Sequence, residues 1–208
     1  MAALTITKGS STESTLIQKL FAKANHAYFV NGKQIVTAAN DQSTLPAAAY
    51  ASLASGFTCD MALPIIEDSV SFNTGDTDKT EVNILDGTTL VSRASKGDSD
   101  ISAQIASADD DIISLFMTKG HTLAGVKFAP TSTEHTYSAT GYSFDVKKVT
   151  GAIVLADDTE DVCLILTNVE MFGALVAAEG DNPAYINAQI TPKNNVEGDA
   201  LLILRKTA

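Results

Sequence analysis

Alternation of apolar and polar residues within residues 65–117 restricts the fold more than any other feature of the chain. Every second residue is apolar in three short stretches, which hold Val70 and Phe72, Val82 and Ile84, and Ile101, Ala103 and Ile105. This spacing places each apolar set on one face of a strand. Acidic or glycine-bearing segments predict turns between the stretches at residues 73–78, 86–87 and 97–98. The pattern predicts a mainly β scaffold whose exposed edges and loops serve assembly, not catalysis.

A short helix is predicted directly after these strands. Three consecutive aspartates precede an apolar run, in the order Asp109, Asp110, Asp111, Ile112, Ile113, with Leu115 and Phe116 following. One aspartate can accept hydrogen bonds from the free N–H groups at the helix start, and the others suit the positive end of the helix dipole. Gly120 suits the position just beyond the helix end. We expect roughly two to three turns, which is too short for the crossover helices of a parallel sheet.

The β pattern resumes in the remainder of the chain. The strand candidates are residues 122–129, 141–147, 150–156, 162–177, 184–191 and 200–206. The acidic segment 157–161 predicts a turn between two of these strands, and Gly173 predicts a bend or bulge in the longest one. Because the last candidate is nearly all apolar, we expect it to be buried on both faces.

The first quarter of the chain differs in charge and in pattern from the rest. Residues 11–28 have apolar residues at helical spacing, and the alanine-rich segment after Pro46 predicts a short helix that ends at Gly56. Residues 1–59 contain four lysines and two acidic residues, a balance of +2, whereas residues 60–208 contain 10 basic and 23 acidic residues, a balance of −13. We therefore divide the chain into a partly helical N-terminal extension, residues 1–56, and a β domain, residues 57–208.

The sequence contains no pattern that indicates an enzyme or a cofactor site. His26, His121 and His135 have no metal-ligand spacing to a cysteine or to each other. No nucleophile signature and no phosphate-binding glycine loop is present. We expect no enzymatic activity and no cofactor.

Two acidic pairs begin like calcium loops. Asp76 with Asp78, and Asp98 with Asp100, have the spacing of the first two ligands, but the glycine and the glutamate that complete an EF-hand loop are missing. Solvent-exposed turn carboxylates explain both pairs better, although a looser calcium site stays open. We expect no metal site.

Composition favours a soluble protein made in a reducing cytoplasm. No apolar run approaches the roughly 18 residues that a membrane helix needs, and the start of the chain lacks the basic flank and apolar core of a signal peptide. Cys59 and Cys163 are predicted to be thiols, although a single disulfide between them stays open. We expect no affinity for a nucleic-acid backbone, because such affinity requires clustered lysine and arginine.

Two parts of the sequence carry a resemblance to a known family. The first is a strand, an acidic glycine-bearing turn, a second strand, DGTT at residues 86–89, and KGDSDISAQIAS at residues 96–107 leading into the helix. The second is LILTNVEMFGALVAAEGDNPAYINAQITPKNNVEGDALLILR at residues 164–205. In pattern and order, residues 60–206 resemble the tail tube (major tail) proteins of bacteriophages.

The resemblance implies two packed antiparallel sheets that nearly form a barrel, flanked by one short helix. It implies rings of six subunits that stack head to tail into a tube, whose lumen conducts DNA during ejection without binding it specifically. It also implies a location in the virion tail after synthesis in the host bacterial cytoplasm. The implied partners are other copies of the chain, the tape measure protein and other tail proteins, with no membrane.

The resemblance further implies a long hairpin or loop that reaches a neighbouring subunit. On this chain the hairpin is predicted at residues 73–80 with their flanking strands and at residues 96–100, and residues 1–56 are predicted to link successive rings. An open strand edge supplies the unpaired N–H and C=O groups for such contacts, and head-to-tail interfaces close into rings. The interface or lumen candidates are Asp76, Asp78, Glu81, Asp86, Lys96, Asp98 and Asp100.

A virion decoration or adhesion module is the alternative interpretation. Such a β-sandwich would bind a carbohydrate or coat a particle. Sites of that kind use aromatic side chains, and this chain has 6% aromatic residues and no tryptophan. We therefore favour the tail tube interpretation.

Overall fold

The computed structural model describes residues 26–37, 46–66, 69–73, 77–83, 89–96, 100–106, 109–158, 161–176 and 184–206. Within these residues the fold is mainly β, with antiparallel sheets and one short α-helix, as the sequence predicts. The strands are β1 (His26–Asn31), β2 (Gln34–Val36), β3 (Tyr50–Ser52), β4 (Met61–Ala62), β5 (Ser71–Asn73), β6 (Thr77–Asn83), β7 (Thr89–Lys96), β8 (Asp100–Ala106), β9 (Thr118–Phe128), β10 (His135–Ser143), β11 (Val149–Ala156), β12 (Val162–Val176), β13 (Tyr185–Lys193) and β14 (Leu201–Arg205). Helix α1 spans Asp110–Phe116, and one turn of 3-10 helix spans Ala47–Ala49.

Eight strands form one antiparallel sheet. Its order is β4-β1-β11-β12-β13-β8-β5, and β14 pairs with the first part of β12. With 15 residues, β12 is long enough to hold β14 and then β13 end to end along one edge. Where one partner gives way to the other, Thr167 and Asn168 of β12 lie opposite a single residue of β11, which is a bulge. The bulge lets one strand serve two neighbours.

A single extended segment closes this sheet on itself. The N–H groups of Asp60 and Leu63 donate to carbonyl groups of β1 at 2.9 and 2.8 Å. A few residues later, the N–H of Ile66 donates to β8, and β8 donates to the carbonyl of Pro64, both at 2.8 Å. Residues 60–66 therefore join the β1 border to the β8 border, and the sheet is barrel-like. We call this closed structure the barrel.

One face of the barrel strands and helix α1 share a hydrophobic core. Among the largest fully buried side chains in this core are Phe29, Ile105, Phe116, Met171 and Ile186, which come from β1, β8, α1, β12 and β13. Burial of a side chain of this size stabilises the folded state by about 1.5–3 kcal/mol. Helix α1 is therefore an integral part of the core and not a peripheral addition.

Strands β2 and β3 form a second layer over the other face of the sheet. They pair in parallel, whereas the resemblance implied two antiparallel sheets. Ile35 and Ala51 from this layer pack with Val30, Ala152 and Ile165 in a second, smaller core. The N-terminal part of the described chain thus covers β1, β11 and β12.

A buried asparagine ties this second layer to the loop before β14. Asn195 is 6% exposed. Its side-chain amide donates to the carbonyl of Ile35 at 2.8 Å, and its side-chain oxygen accepts the N–H groups of Glu197 and Asp199 at 2.9 Å each. The carboxylate of Glu197 accepts the N–H and the hydroxyl of Thr37 at 2.7 and 2.8 Å. These bonds fix the two ends of the described chain to each other.

Two glycines in the barrel wall are required by close packing. A Cβ atom on Gly151 would lie 2.6 Å from the ring of Phe29, and one on Gly173 would lie 2.5 Å from the ring of Phe116. Gly173 pairs in register with Ala188 in β13. The predicted bend or bulge at Gly173 is therefore wrong, because this glycine makes room for an aromatic ring.

Several predicted elements in the first half of the chain differ from the structure. Residues 26–28, predicted as the end of a helix, lie in β1, because Ala27 and Phe29 alternate into the core. Residues 11–25 lie outside the described part. The alanine-rich segment forms one 3-10 turn and then β3 in place of the predicted helix. The division at residue 56 stays a prediction, and β1 is part of the same sheet as the C-terminal strands.

Three further predictions are wrong and one is confirmed. Residues 73, 77 and 78 lie in strands and not in a turn. Gly120 lies in β9, because the helix ends at Phe116 and the next residue is already extended. The last strand, β14, is not buried on both faces, since Ile203 and Leu204 are 45% and 38% exposed. The capping prediction is confirmed: the carboxylate of Asp109 accepts the N–H of Asp111 at 3.0 Å.

Candidate assembly surface

Strands β9 and β10 form an antiparallel two-stranded sheet, which we call the ribbon. Among the described residues the ribbon pairs with no strand of the barrel. Every side chain of β9 is exposed except the half-buried Val126. At about 3.4 Å per residue, strands of this length reach about 35 Å. A two-stranded sheet that is solvated on both faces is only marginally stable in water, so the isolated chain does not account for this element.

A bulge keeps the apolar residues of the ribbon on one face. Val126 pairs with Tyr137 and Leu123 pairs with Ala139, so β9 uses one more residue than β10 between these pairs. Without the extra residue, Leu123 and Val126 would lie on opposite faces, because they are an odd number of residues apart. Gly125 lies inside the bulge with a φ of 72°, a conformation that side chains other than glycine rarely adopt. The bulge therefore preserves a continuous apolar face.

The apolar face is aromatic toward the tip of the ribbon. The ring centroids of Phe128 and Tyr137 are 6.3 Å apart, as are those of His135 and Tyr137. Leu123, Phe128 and Tyr137 are 64%, 58% and 41% exposed. The opposite face is polar, as the pairing of Lys127 with Thr136 illustrates. The ribbon is thus amphipathic, with its apolar face in solvent.

The polar face attaches the base of the ribbon to helix α1. The hydroxyl of Thr140 donates to the carboxylate of Asp110 at 3.2 Å, and the hydroxyl of Tyr142 donates to the Asp110 carbonyl at 3.4 Å. Thr140 and Tyr142 lie on the face opposite Ala139. Because helix α1 packs in the barrel core, the root of the ribbon is fixed and its apolar face is turned away from the helix.

Two more apolar side chains are exposed immediately after the ribbon. Phe144 and Val146 are 90% and 85% exposed. Polar contacts hold this segment in place: the hydroxyl of Ser143 donates to the carboxylate of Asp145 and accepts its N–H, and the ammonium group of Lys147 donates to a carbonyl of helix α1. An ordered segment that displays two apolar side chains is typical of an interface, because little conformational entropy remains to be lost on binding.

A carboxylate in the barrel wall holds the end of that segment. Glu170 accepts hydrogen bonds from Lys148 at 2.6 Å and from Lys193 at 2.7 Å. The hydrogen bonds from Lys148 and Lys193 lower the pKa of Glu170 below its ordinary value and outweigh the opposing effect of desolvation. The segment after the ribbon is therefore tied both to helix α1 and to the barrel.

The ribbon and the following segment differ in charge from the rest of the chain. Residues 118–148 contain Lys119, Lys127, Lys147 and Lys148 against Glu134 and Asp145, a balance of +2. Since the whole chain carries −11, the other residues carry −13. A cationic, apolar ribbon thus projects from an acidic protein.

The predicted long hairpin is present in the backbone of residues 71–102. Strand β5 pairs with β8, and β6 pairs with β7. Asn73 pairs with Asp100 and Thr77 pairs with Lys96, so both strands advance by the same number of residues and the ladder resumes in register. That this hairpin reaches a neighbouring subunit stays a prediction.

The structure separates the predicted interface or lumen residues. Asp78 and Glu81 lie on opposite faces of β6, because they are an odd number of residues apart, and Lys96 lies on the face of Glu81. Asp100 is the first residue of β8. The candidates outside the described residues are Asp76, Asp86 and Asp98.

The described residues offer little for chemistry. They contain no group of three or more side chains suited to bind a metal ion. A cavity of about 390 Å³ lies beside β1 and β3 and is lined in part by Ser52, whose buried hydroxyl has no hydrogen-bond partner. Burial, with a smaller effect of the Asp60 carboxylate, raises the pKa of the Cys59 thiol, which disfavours the reactive thiolate. No disulfide joins Cys59 and Cys163.

No helix in the part of the chain that the structure describes is long and apolar enough to cross a membrane.

Sequence reasoning missed the ribbon as a candidate surface. It placed strands at 122–129 and 141–147, and it assigned the neighbour contact to the hairpin at residues 73–80 and 96–100. The available signal was weak, because the apolar positions 123, 126 and 128 are spaced by three and then two residues, which fits neither a helix nor a regular strand.

Comparison of the chain with protein-family models and with curated proteins gives no match.

Proposed function

We propose that this chain is a structural subunit that assembles with copies of itself into stacked six-membered rings, as in the tube of a phage tail. The ribbon is the single observation that carries this proposal. It presents two open strand edges and an exposed apolar face on an element that is marginal by itself. In a monomer such a surface promotes aggregation, whereas in a ring it becomes the contact between subunits.

The barrel supports the same proposal, because its main borders are already joined by residues 60–66. Self-association then occurs through the elements that project from the barrel. The hairpin of residues 71–102, which holds the predicted candidates, is a second such element.

The charge of the chain fits a conduit for DNA. With a net charge of −11, an acidic inner wall would repel phosphate groups and let DNA pass without specific binding. The corresponding location is the virion tail, with the tape measure and other tail proteins as partners.

Assembly state tests the proposal directly. The purified full-length chain should form rings or tubes of uniform diameter as its concentration rises, measured by size-exclusion chromatography with light scattering and by negative-stain electron microscopy. A monodisperse monomer at every concentration and at both low and moderate salt would contradict the proposal.

The exposed aromatic residues at the ribbon tip favour one alternative, a virion decoration or adhesion module. Phe128 and Tyr137 present aromatic rings in solvent, and such rings can stack on sugars. This candidate predicts a monomer that binds carbohydrate saturably in calorimetry or on a glycan array. The Tyr137→Ala variant should lose that binding. Assembly without carbohydrate binding would exclude it.

A further inference from the structure

We infer that the apolar face of the ribbon docks onto the acidic surface of a second copy of this chain, in a head-to-tail contact. This inference rests on the proposed self-assembly and names the surface that performs it. The ribbon replaces the hairpin of residues 71–102 as the first candidate for the contact between subunits.

The position of the bulge is the first argument. The extra residue in β9 places Leu123 on the same face as Val126, Phe128 and Tyr137. A solvated ribbon has no need to gather its apolar residues on one face, since both faces meet water. A ribbon that docks by one face does need this, because apolar contact area is the main source of binding free energy.

Charge identifies the occupant. Residues 118–148 carry +2 and the remainder of the chain carries −13. A second ribbon is a poor partner, because two cationic ribbons repel each other. The acidic remainder of another copy attracts the ribbon, so the contact joins two different surfaces. A contact between different surfaces is heterologous, and heterologous contacts generate rings or filaments, not symmetric dimers.

Preorganisation is the third argument. Asp110 binds Thr140 and Tyr142 at the base of the ribbon, and Lys147 and Lys148 fix the segment that displays Phe144 and Val146. The polar face and the base are thus occupied within the chain, and the apolar face is left for a partner. An arm fixed in this way loses little conformational entropy on docking.

Isotope-mixed photo-cross-linking tests the inference on an otherwise unchanged chain. A photo-reactive amino acid replaces Leu123 on the apolar face or, as the matched control, Thr136 on the polar face. Equal amounts of ¹⁴N- and ¹⁵N-labelled protein are assembled together, irradiated and digested. We expect cross-links between light and heavy peptides from position 123, directed to acidic segments outside residues 118–148, and several-fold fewer from position 136.

A pair of face-specific variants gives the quantitative counterpart. Leu123→Thr combined with Phe128→Thr removes the apolar surface but keeps residues that favour strands. The concentration for half-assembly should rise at least about tenfold, the usual effect of losing a central apolar contact. The control, Thr122→Ser combined with Thr136→Ser, should stay within about twofold of wild type.

Charge reversal tests the choice of partner surface. Lys119→Glu combined with Lys127→Glu should raise the half-assembly concentration and flatten its dependence on salt, because opposite charges across the contact are lost. An unchanged half-assembly concentration in this variant would overturn the inference.

The outcomes separate the inference from the proposed function. If the wild-type chain assembles but position 123 forms no cross-links between copies, or forms them only with another ribbon, the inference is wrong and the proposed function stands. If the wild-type chain does not assemble at all, the proposed function fails first and the inference fails with it.

Discussion

The barrel and the ribbon are built from the same kind of strand but manage their polar edges and apolar residues in opposite ways. In the barrel, residues 60–66 join the two borders, and the apolar side chains point into a core. In the ribbon, both outer edges are open among the described residues, and the apolar side chains point into solvent. The contrast teaches that the barrel is complete within one chain, whereas the ribbon is complete only with a partner.

The largest expected effect comes from comparing a phenylalanine of each region. Phe116 is 1% exposed in the core that α1 shares with the barrel, and Phe128 is 58% exposed on the ribbon. Phe116→Ala should lower the free energy of unfolding by about 3–5 kcal/mol, because it removes buried contacts and leaves a cavity. Phe128→Ala should change it by less than about 0.5 kcal/mol. Urea unfolding under conditions that keep the chain monomeric measures both.

That comparison would be broken by equal losses in the two variants. A large loss on Phe128→Ala in a monomer would mean that the ribbon is packed against its own chain and does not wait for a partner.

A pair of glycines sharpens the same comparison at intermediate size. A Cβ on Gly151 in the barrel wall would lie 2.2 Å from a carbonyl oxygen of β1, whereas a Cβ on Gly120 in the ribbon meets nothing closer than 3.5 Å. Gly151→Ala should destabilise the fold by about 1–3 kcal/mol through overpacking. Gly120→Ala should have a small effect, within about 1 kcal/mol and of stabilising sign, because alanine restricts the unfolded chain.

Thermal and urea unfolding of the two alanine variants tests this pair. Indifference of the barrel to Gly151→Ala would show that its wall is more loosely packed than the short distances indicate.

The smallest expected effect is a pH dependence at the junction between the two regions. The pKa of Glu170 is lowered by Lys148, which follows the ribbon, and by Lys193 of β13. A lowered folded-state pKa means that the carboxylate stabilises the fold above its unfolded pKa of about 4.3 and that this contribution is lost as the pH falls through the folded value. The stability difference between wild type and Glu170→Gln should therefore be constant from neutral pH to about pH 5 and shrink below about pH 4.

Parallel unfolding curves across this pH range check the junction. A difference that grows toward acid would have the wrong sign for an ion pair and would remove Glu170 as the link between ribbon and barrel.

Much of the barrel could be predicted from the sequence because its strands have one face in a core. In β8, Ile101, Ala103 and Ile105 alternate in the sequence and are all buried in the structure. The helix cap at Asp109 is equally local, since it depends on a side chain two residues before the N–H that it accepts. Such features need only period and chemistry within a few residues.

The turns predicted at residues 73–78 and 97–98 were wrong for a physical reason. Polar, glycine-bearing segments are typical of turns, but they also occur in hairpins whose pairing, not burial, holds them together. Asn73 and Thr77 lie in strands of such a hairpin. The contact that decides the conformation comes from the opposite strand, more than 15 residues away in the sequence.

The amino-acid sequence by itself determined the strand class, the capped helix and the excess of acidic residues, because each depends on local period or on composition. Only the tertiary structure decided that residues 60–66 close the barrel and that a bulge at Gly125 turns β9 and β10 into an amphipathic ribbon. Both depend on the register between segments far apart in the chain. Register is selected by the packing of the whole molecule and leaves no periodic mark in either segment alone.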